Sequence, residues 1–324
     1  MFNFIRNLIK KLLSEKDNWK DGLIESPTDF RDIPLRAVKK EFFPLPKSYR
    51  IPYFLEIKNQ GNEPICVGAS TATLKEEKER REQNFINFDM RWIYKECKKI
   101  DGLPNMRGTY FRSGLKVLQK TGAKPLNEGD YEPYRIGGYI KVEANAQSIK
   151  QAIYEYGVVL AGFRGSNQGW KDEFIRPPKV GEQMWGHATA LIGWNEQYII
   201  GQNSWGENRP GKGYFYFDEN YLPFECWAVL TDLPNNWKEL IGNKEKPKYH
   251  FDNNLYLGLR NDEVKILQDC LKYDGCFPQD VDSTGYFGRI TLNAVINFQK
   301  RYSINPAVGF VGTITRRKLN EIFS

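Results

Sequence analysis

The stretch Trp185-Gly186-His187-Ala188-Thr189-Ala190-Leu191-Ile192-Gly193-Trp194 is followed by Asn195-Glu196-Gln197 and then by Tyr198-Ile199-Ile200-Gly201-Gln202-Asn203-Ser204-Trp205-Gly206. Two apolar runs around a short polar turn read as a β-hairpin. Folding the runs about Asn195–Glu196 sets His187 opposite residues 203–205, within side-chain reach across the pair. An imidazole is thereby placed beside the Asn203 carboxamide, with the Trp205 indole next to both. A neutral amide oxygen orients the ring without adding a charge. That suits a histidine paired with a thiolate, because the ion pair supplies its own charge balance. Taken alone, the same hairpin also accommodates a structural histidine satisfied inside a sheet.

The partner thiol is found in Asn59-Gln60-Gly61-Asn62-Glu63-Pro64-Ile65-Cys66-Val67-Gly68-Ala69-Ser70. Turn-forming residues and Pro64 end the preceding segment, and helix-compatible residues begin at about Cys66 and run into the charged stretch Lys75–Arg81. A thiol at a helix N-terminus meets the positive end of the helix dipole, which favours the thiolate. Cys97, Cys226, Cys270 and Cys276 lack that setting and read as small buried hydrophobes. The spacing of Cys270 and Cys276 around a helix end leaves a pairing between them open.

Composition agrees with a catalyst that needs few special residues. The chain has 324 residues, 40% of them hydrophobic, which suits about two soluble domains. No apolar run is long enough to span a membrane. Two histidines, five cysteines and no Cys-x-x-Cys pair argue against a zinc site, and no metal or cofactor is expected. A net charge of +7 permits attraction to anionic surfaces without pointing to nucleic acid.

Residues 1–13 place Phe2, Ile5, Ile9, Leu12 and Leu13 on one helical face and Asn3, Asn7, Lys10 and Lys11 on the other. Arg6 and Lys10 interrupt the apolar core that a secretory signal needs. The segment suits peripheral contact with a membrane surface or docking on the protein's own body. We read 1–44 as an N-terminal extension, 45–233 as the main domain, 234–251 as a polar linker and 252–324 as a small terminal module. In the main domain helices are expected at Cys66 to about Glu82, Asp89–Ile100, Tyr110–Thr121 and Asn145–Tyr156. Strands are expected at Gly157–Arg164, His187–Trp194, Tyr198–Asn203, Gly213–Phe217 and Cys226–Thr231. Helices first and strands later make an α+β fold.

The module carries a repeat, Gly285-Tyr286-Phe287-Gly288-Arg289-Ile290-Thr291 and Gly309-Phe310-Val311-Gly312-Thr313-Ile314-Thr315, 24 residues apart. Each glycine supplies backbone freedom for a tight entry into a helix, and the aromatic is expected to seal the bundle beneath it. Three helices are expected, one capped by Asn261 and Asp262, one at about Thr291–Arg301 and one at about Thr313–Ile322. His250 reads as a linker residue.

The order Gln60…Cys66…Gly186-His187…Asn203-Ser204-Trp205-Gly206, then Gly211-Lys212-Gly213-Tyr214-Phe215, resembles the papain-like cysteine peptidases. Asn203 follows Cys66 by 137 residues, inside the spacing of that family, and Gln60 precedes it by six. The resemblance implies a two-lobed fold, with a helical lobe and an antiparallel β lobe. It implies Cys66 as nucleophile, His187 as proton carrier, Asn203 as orienting residue, Gln60 as oxyanion donor and Trp205 as a shield. It also implies a substrate-binding cleft at Gly108, Thr109, Gly186 and Trp205. Departures are Val67 after the nucleophile, Pro64 where glycine is usual, and Glu63 where the family often has a disulfide cysteine. The stretch before Pro46 is shorter than many of the family's inhibitory propeptides. Residues 252–323 resemble peptidoglycan-binding-like modules through Asp262–Gln268, Gly285–Gly288, Phe298-Gln299 and Gly309–Gly312.

The expected function is therefore a cysteine endopeptidase acting through an acyl-enzyme on protein or peptide substrates, tethered to bacterial peptidoglycan by residues 252–324. The expected location is extracellular or at the cell wall. The alternatives are a lysin that cleaves peptidoglycan peptides, and a wall-binding protein with an inactive peptidase fold.

Overall fold

The computed structural model describes residues 22–39, 41–127, 133–231, 246–278 and 281–324. The amphipathic segment 1–13 lies outside them. Two compact units divide the chain, Met1–Ser26 with Pro34–Leu233, and Pro27–Ile33 with Pro234–Ser324. The residues read as an N-terminal extension are thus shared between the units. Among the described residues no helix is long and apolar enough to cross a membrane.

The first unit is α+β. Its elements in chain order are β1 (Leu23–Ile24), α1 (Leu35–Val38), β2 (Tyr49–Arg50), α2 (Cys66–Arg81), α3 (Met90–Ile100), β3 (Thr109–Tyr110) and α4 (Phe111–Lys120). They continue with β4 (Gly138–Val142), α5 (Ala146–Tyr156), β5 (Val159–Ser166), β6 (Phe174–Ile175), β7 (Met184–Trp194), β8 (Tyr198–Gln202), β9 (Tyr214–Asp218) and β10 (Glu225–Leu230). The expected helices and strands form, with no end shifted by more than three residues. The two-residue β1, β2, β3 and β6 and the four-residue α1 are too short to show a period, whereas β4 alternates over five residues and is a strand the sequence reading lacks.

Strands β4 to β10 form a sheet in the order β4-β10-β5-β7-β8-β9-β6, with β2 added against β7. β7 lies inside the sheet, pairing antiparallel with β5 from Val159↔Leu191 to Ser166↔Met184. A strand covered on both sides and both faces must be apolar along its length, and from Trp185 to Trp194 every residue of β7 is buried. His187 is thus held in a rigid strand, opposite Phe163. The hairpin to β8 pairs Ala190 with Gln202 and Leu191 with Gly201, then slips by one residue at a bulge before Gly193. This continues past the strand end to set His187 beside residues 203–205, as the sequence predicts.

The helical side begins with α2. Its first half is apolar, while its second half carries Lys75, Glu76, Glu77, Lys78, Glu79 and Arg80, all buried. Buried charges require partners. Lys58 Nζ bonds Glu76 Oε1 at 2.6 Å, which also accepts the Phe88 N–H at 2.9 Å. Arg81 reaches Glu77 at 2.5 Å, Lys75 reaches Glu79, and Arg80 donates to Ile86 O at 2.8 Å. α3 is capped by Asp89, whose Oδ1 accepts from Arg91 N and Trp92 N, and α5 by Asn145.

The second unit is a three-helix module, α6 (Asp262–Tyr273), α7 (Arg289–Arg301) and α8 (Thr313–Phe323). Asn261 Oδ1 caps α6 by accepting from Val264 N at 2.9 Å. Phe251, Leu255, Val264, Leu267, Leu271, Phe287, Val295, Phe298, Val311, Leu319 and Phe323 form one core. Both repeats are built alike. Gln268 Nε2 donates to Tyr286 O and Thr291 Oγ1 at 2.9 and 2.8 Å, while Gln268 Oε1 accepts from Gly285 N. Gln299 does the same for Phe310 O, Thr315 Oγ1 and Gly309 N. Gly285 and Gly309 have φ of 71° and 78°, the left-handed region that glycine enters without penalty.

One expectation is corrected here. Tyr286 and Phe310 do not seal the bundle, being 41% and 42% exposed, whereas Phe287 and Val311 are fully buried. The backbone pairing decides this: Phe287 N bonds Leu259 O, and Val311 bridges Leu255, so the residue after each aromatic faces inward. His250 also has a structural place, with Nδ1 2.9 Å from Ser324 Oγ and Nε2 3.3 Å from Asn320 Nδ2. Cys270 and Cys276 are both free thiols.

Candidate active site

Three chain segments bring the predicted residues together. Cys66 is the first residue of α2, preceded by the cap residue Ile65. Ser70 Oγ donates to Cys66 O at 2.9 Å, tying off the first turn. His187 comes from β7. Its Nε2 lies 2.7 Å from Asn203 Oδ1, and the same Oδ1 accepts the Ser204 N–H at 2.8 Å. Two contacts on one oxygen fix which end of the Asn203 amide faces the ring, and an accepting oxygen requires a proton on Nε2. Asn203 N in turn donates to Gly213 O at 2.7 Å.

Gln60 is delivered by a short antiparallel zipper between residues 58–60 and 204–206. Asn59 bridges Trp205, Gln60 N donates to Ser204 O at 2.8 Å, and Gly206 N donates to Lys58 O at 2.9 Å. The Gln60 amide is gripped at both ends: Oε1 accepts from Ser204 Oγ at 2.6 Å, and Nε2 donates to Glu63 O at 2.8 Å. Gln60, Cys66, His187 and Asn203 are all buried.

Aromatic rings enclose the His187–Asn203 contact. Trp205 lies 4.7 Å from the His187 ring between centroids, Trp170 5.6 Å and Trp185 6.0 Å. Trp170 is anchored by its Nε1 donating to Tyr221 OH at 2.9 Å. Trp170 has no spacing relationship to the hairpin, and only the folded loop after β5 brings it there.

The Gly108, Thr109 and Gly186 positions meet a segment of the chain itself. Gly22 N donates to Gly186 O at 3.2 Å, and Thr109 N donates to Gly22 O at 3.1 Å. β1 pairs parallel with β3, Leu23 with Thr109 and Ile24 with Tyr110. Gly22 lies so close to the thiol that a Cβ there would stand 2.7 Å from Cys66 Sγ. One residue therefore touches both the start of α2 and the residue before His187. Leu23 is only 2% exposed and fills the space left by Gly162 beside Phe224. Gly22–Ile24 carry no distinctive sequence signal, and only the folded chain shows their place here.

Burial disfavours the thiolate in the other four cysteines. Burial pushes the thiols of Cys97, Cys226 and Cys276 up, and that of Cys270 up to about 12. Among the described residues no cluster of acidic, histidine or cysteine side chains is arranged to hold a metal ion.

Residues 90–226 match the family model described as papain family cysteine protease, which takes in His187 and Asn203. Residues 260–319 match a putative peptidoglycan binding domain. Among solved structures the chain is similar to xylellain, a cysteine protease from Xylella fastidiosa, at 22% identity and a TM-score of 0.59, covering 66% of this chain and 97% of that one. It is also similar to a procathepsin B from Trypanosoma congolense, at 15% identity and a TM-score of 0.55, covering 65% and 86% of the two chains. Procathepsin L 3 of Tenebrio molitor larval midgut gives 16% identity and a TM-score of 0.53, covering 65% and 76%. No curated protein matches by sequence. The first unit has the fold of the papain-like cysteine proteases, and residues 90–226 carry the papain-family domain of that class of hydrolases. To this the chain joins a peptidoglycan-binding-type module.

Proposed function

We propose that the protein hydrolyses peptide bonds by nucleophilic catalysis at Cys66. The observation that carries this is the 2.7 Å contact between His187 Nε2 and Asn203 Oδ1. With Nε2 committed to Asn203, Nδ1 is the ring nitrogen that takes the thiol proton. The Cys66 thiolate attacks the scissile carbonyl carbon, and the developing oxyanion is stabilised by the Gln60 amide and the Cys66 backbone N–H. As the C–N bond breaks, His187 gives its proton to the leaving amine. Water then gives a proton to His187 and adds to the thioester. Collapse breaks the C–S bond, releases the acid and returns Cys66. Thr109 and Gly186 bind the substrate backbone in this reading, because their polar atoms already pair with an extended segment, and Gly108 lets that segment approach closely, since a Cβ there would stand 2.5 Å from Gly22 O.

The module is proposed to hold the enzyme on bacterial peptidoglycan, which places it at the cell wall. Supporting this, Tyr286 and Phe310 stand at equivalent, exposed positions of the two repeats, with Tyr256 stacked on Phe310 at 6.4 Å and Arg260 over Tyr286. Exposed rings beside a guanidinium suit a ligand with apolar sugar faces and anionic groups. Turnover of a peptide library, run beside purified peptidoglycan, tests both parts. Cys66→Ala is expected to abolish cleavage, and retained turnover in that variant would overturn the assignment.

A further inference from the structure

Residues 22–33 lie in neither of the regions matched by the family models, yet they make specific contacts along their whole length. Residues 22–26 belong to the peptidase unit. Beyond the contacts of Gly22 and Leu23 described above, Glu25 pairs with Arg164 at 2.7 Å. Ser26 N donates to Glu225 Oε1 at 3.3 Å, and Ser26 Oγ accepts from Arg112 N at 3.4 Å. The segment thus fills the groove beside Cys66. It pairs with β3 in a parallel sense, using the backbone groups a substrate would need.

The next residues belong to the other unit. Pro27–Ile33 group with the module, and the chain returns to the peptidase unit at Pro34. Phe30 N donates to Gly275 O at 3.0 Å, Arg31 Nη1 to Tyr273 O at 2.8 Å, and Arg301 Nη2 to Thr28 O at 3.0 Å. Asp29 is buried under this cluster. Its carboxylate accepts from Arg31 Nε and Nη2 at 2.9 and 2.6 Å, and lies 3.3 Å from Arg301 Nη2. Arg301 also holds Asp274 at 2.9 Å, and Tyr302 OH donates to the same carboxylate at 2.6 Å. A buried, doubly paired carboxylate is far more than surface charge decoration.

We propose that the module's Tyr273–Gly275 turn, with Arg301, is a docking site for the chain's own Pro27–Ile33 segment, and that this docking latches Gly22–Ser26 over Cys66. The module then acts as a regulator of the peptidase as well as an anchor. No residue separates the strap from its latch, since Ser26 ends one set of contacts and Pro27 begins the other. Freeing the latch removes the tether that keeps the strap concentrated at the groove, so substrate competes more successfully. The inference rests on the peptidase reading above.

The test compares the full chain with Asp29→Ala and Arg301→Ala, reading turnover of a short fluorogenic peptide and amide hydrogen exchange across residues 22–26. Arg317→Ala, at an exposed position of α8, serves as a control that changes neither readout. The latch predicts a rise in turnover of at least about fivefold in both variants, within the usual range for coupled sites, together with faster exchange. Wild-type turnover and wild-type exchange in Asp29→Ala would overturn it. Should Arg301→Ala fail to fold, Asp29→Ala decides alone, because it changes the docked segment and leaves the three helices intact. Faster exchange with no turnover in any chain would uphold the latch and reject the peptidase reading.

Discussion

Ser204 Oγ donates to Gln60 Oε1 over 2.6 Å, while the Ser204 backbone N–H donates to Asn203 Oδ1 over 2.8 Å. One residue thus holds both the amide assigned to the oxyanion and the amide that orients His187. The arrangement divides their roles in a way kinetics can read. Gln60→Ala removes a donor aimed at charge that develops only in the transition state, and should lower kcat by roughly 100- to 1,000-fold with little change in KM. Ser204→Ala leaves the donor present but loosely held, and should cost less than Gln60→Ala. Equal losses in both would contradict a positioning role for Ser204.

Asn203 acts through His187. Asn203→Ala leaves Cys66 and His187 chemically intact but frees the ring to rotate, and a misplacement of that kind costs on the order of 100-fold in turnover. Asn203→Gln, which keeps the amide but changes its reach, should fall between wild type and alanine. Turnover at the wild-type level in Asn203→Ala would remove the 2.7 Å contact from the mechanism.

The buried half of α2 is a separate liability. Burial pushes the Glu76 carboxyl above the usual carboxylate range, against the pull of Lys58, which is itself buried. Removing Glu76 leaves the buried Lys58 with only the longer 3.7 Å contact to exposed Glu56, so Glu76→Ala should destabilise the peptidase unit by about 3 kcal/mol in urea unfolding. Lys58→Met with Glu76→Leu, which removes both charges, should cost much less. A larger loss in the double variant would contradict this account.

In the module, structure and recognition should come apart by residue. Gln268→Ala and Gln299→Ala each strand buried backbone groups and should cost about 1–3 kcal/mol. Tyr286→Ala and Phe310→Ala change exposed rings, and should leave unfolding nearly unchanged while weakening co-sedimentation with peptidoglycan. Unchanged co-sedimentation in the Tyr286→Ala, Phe310→Ala double variant would move the wall contact elsewhere.

Much of the site was legible because its signals are local. A hairpin couples His187 to Asn203 through strand register, and a turn with proline before a helix-compatible run announces Cys66. What escaped depends on distant pairing. Gly22–Ile24 meets Thr109–Tyr110 through only two register pairs, too few for any periodicity to show. Trp170 reaches His187 from an irregular loop. In the module the repeat was visible, but which residue of each repeat turns inward was decided by Leu255 and Leu259, well upstream of it. Gln268 and Gln299, which close both repeats, lie outside the repeated seven residues.

Cys66 is the thiol assigned as nucleophile, and covalent labelling reads its activation without any substrate. Iodoacetamide at pH 8 reacts with thiolate, and Cys270, with its thiol pushed up to about 12, is ionised only to about one part in 10,000 there. Cys97, Cys226 and Cys276 are held protonated in the same direction by burial. The label is irreversible, so it collects at Cys66 even when the strap leaves the groove only transiently. Intact-mass and peptide mapping, on the wild-type chain and on Asp29→Ala, should find one adduct at Cys66 that forms much more slowly in His187→Ala. Labelling spread over several cysteines, or a Cys66 rate indifferent to His187 in both chains, would rule out Cys66 as an activated nucleophile.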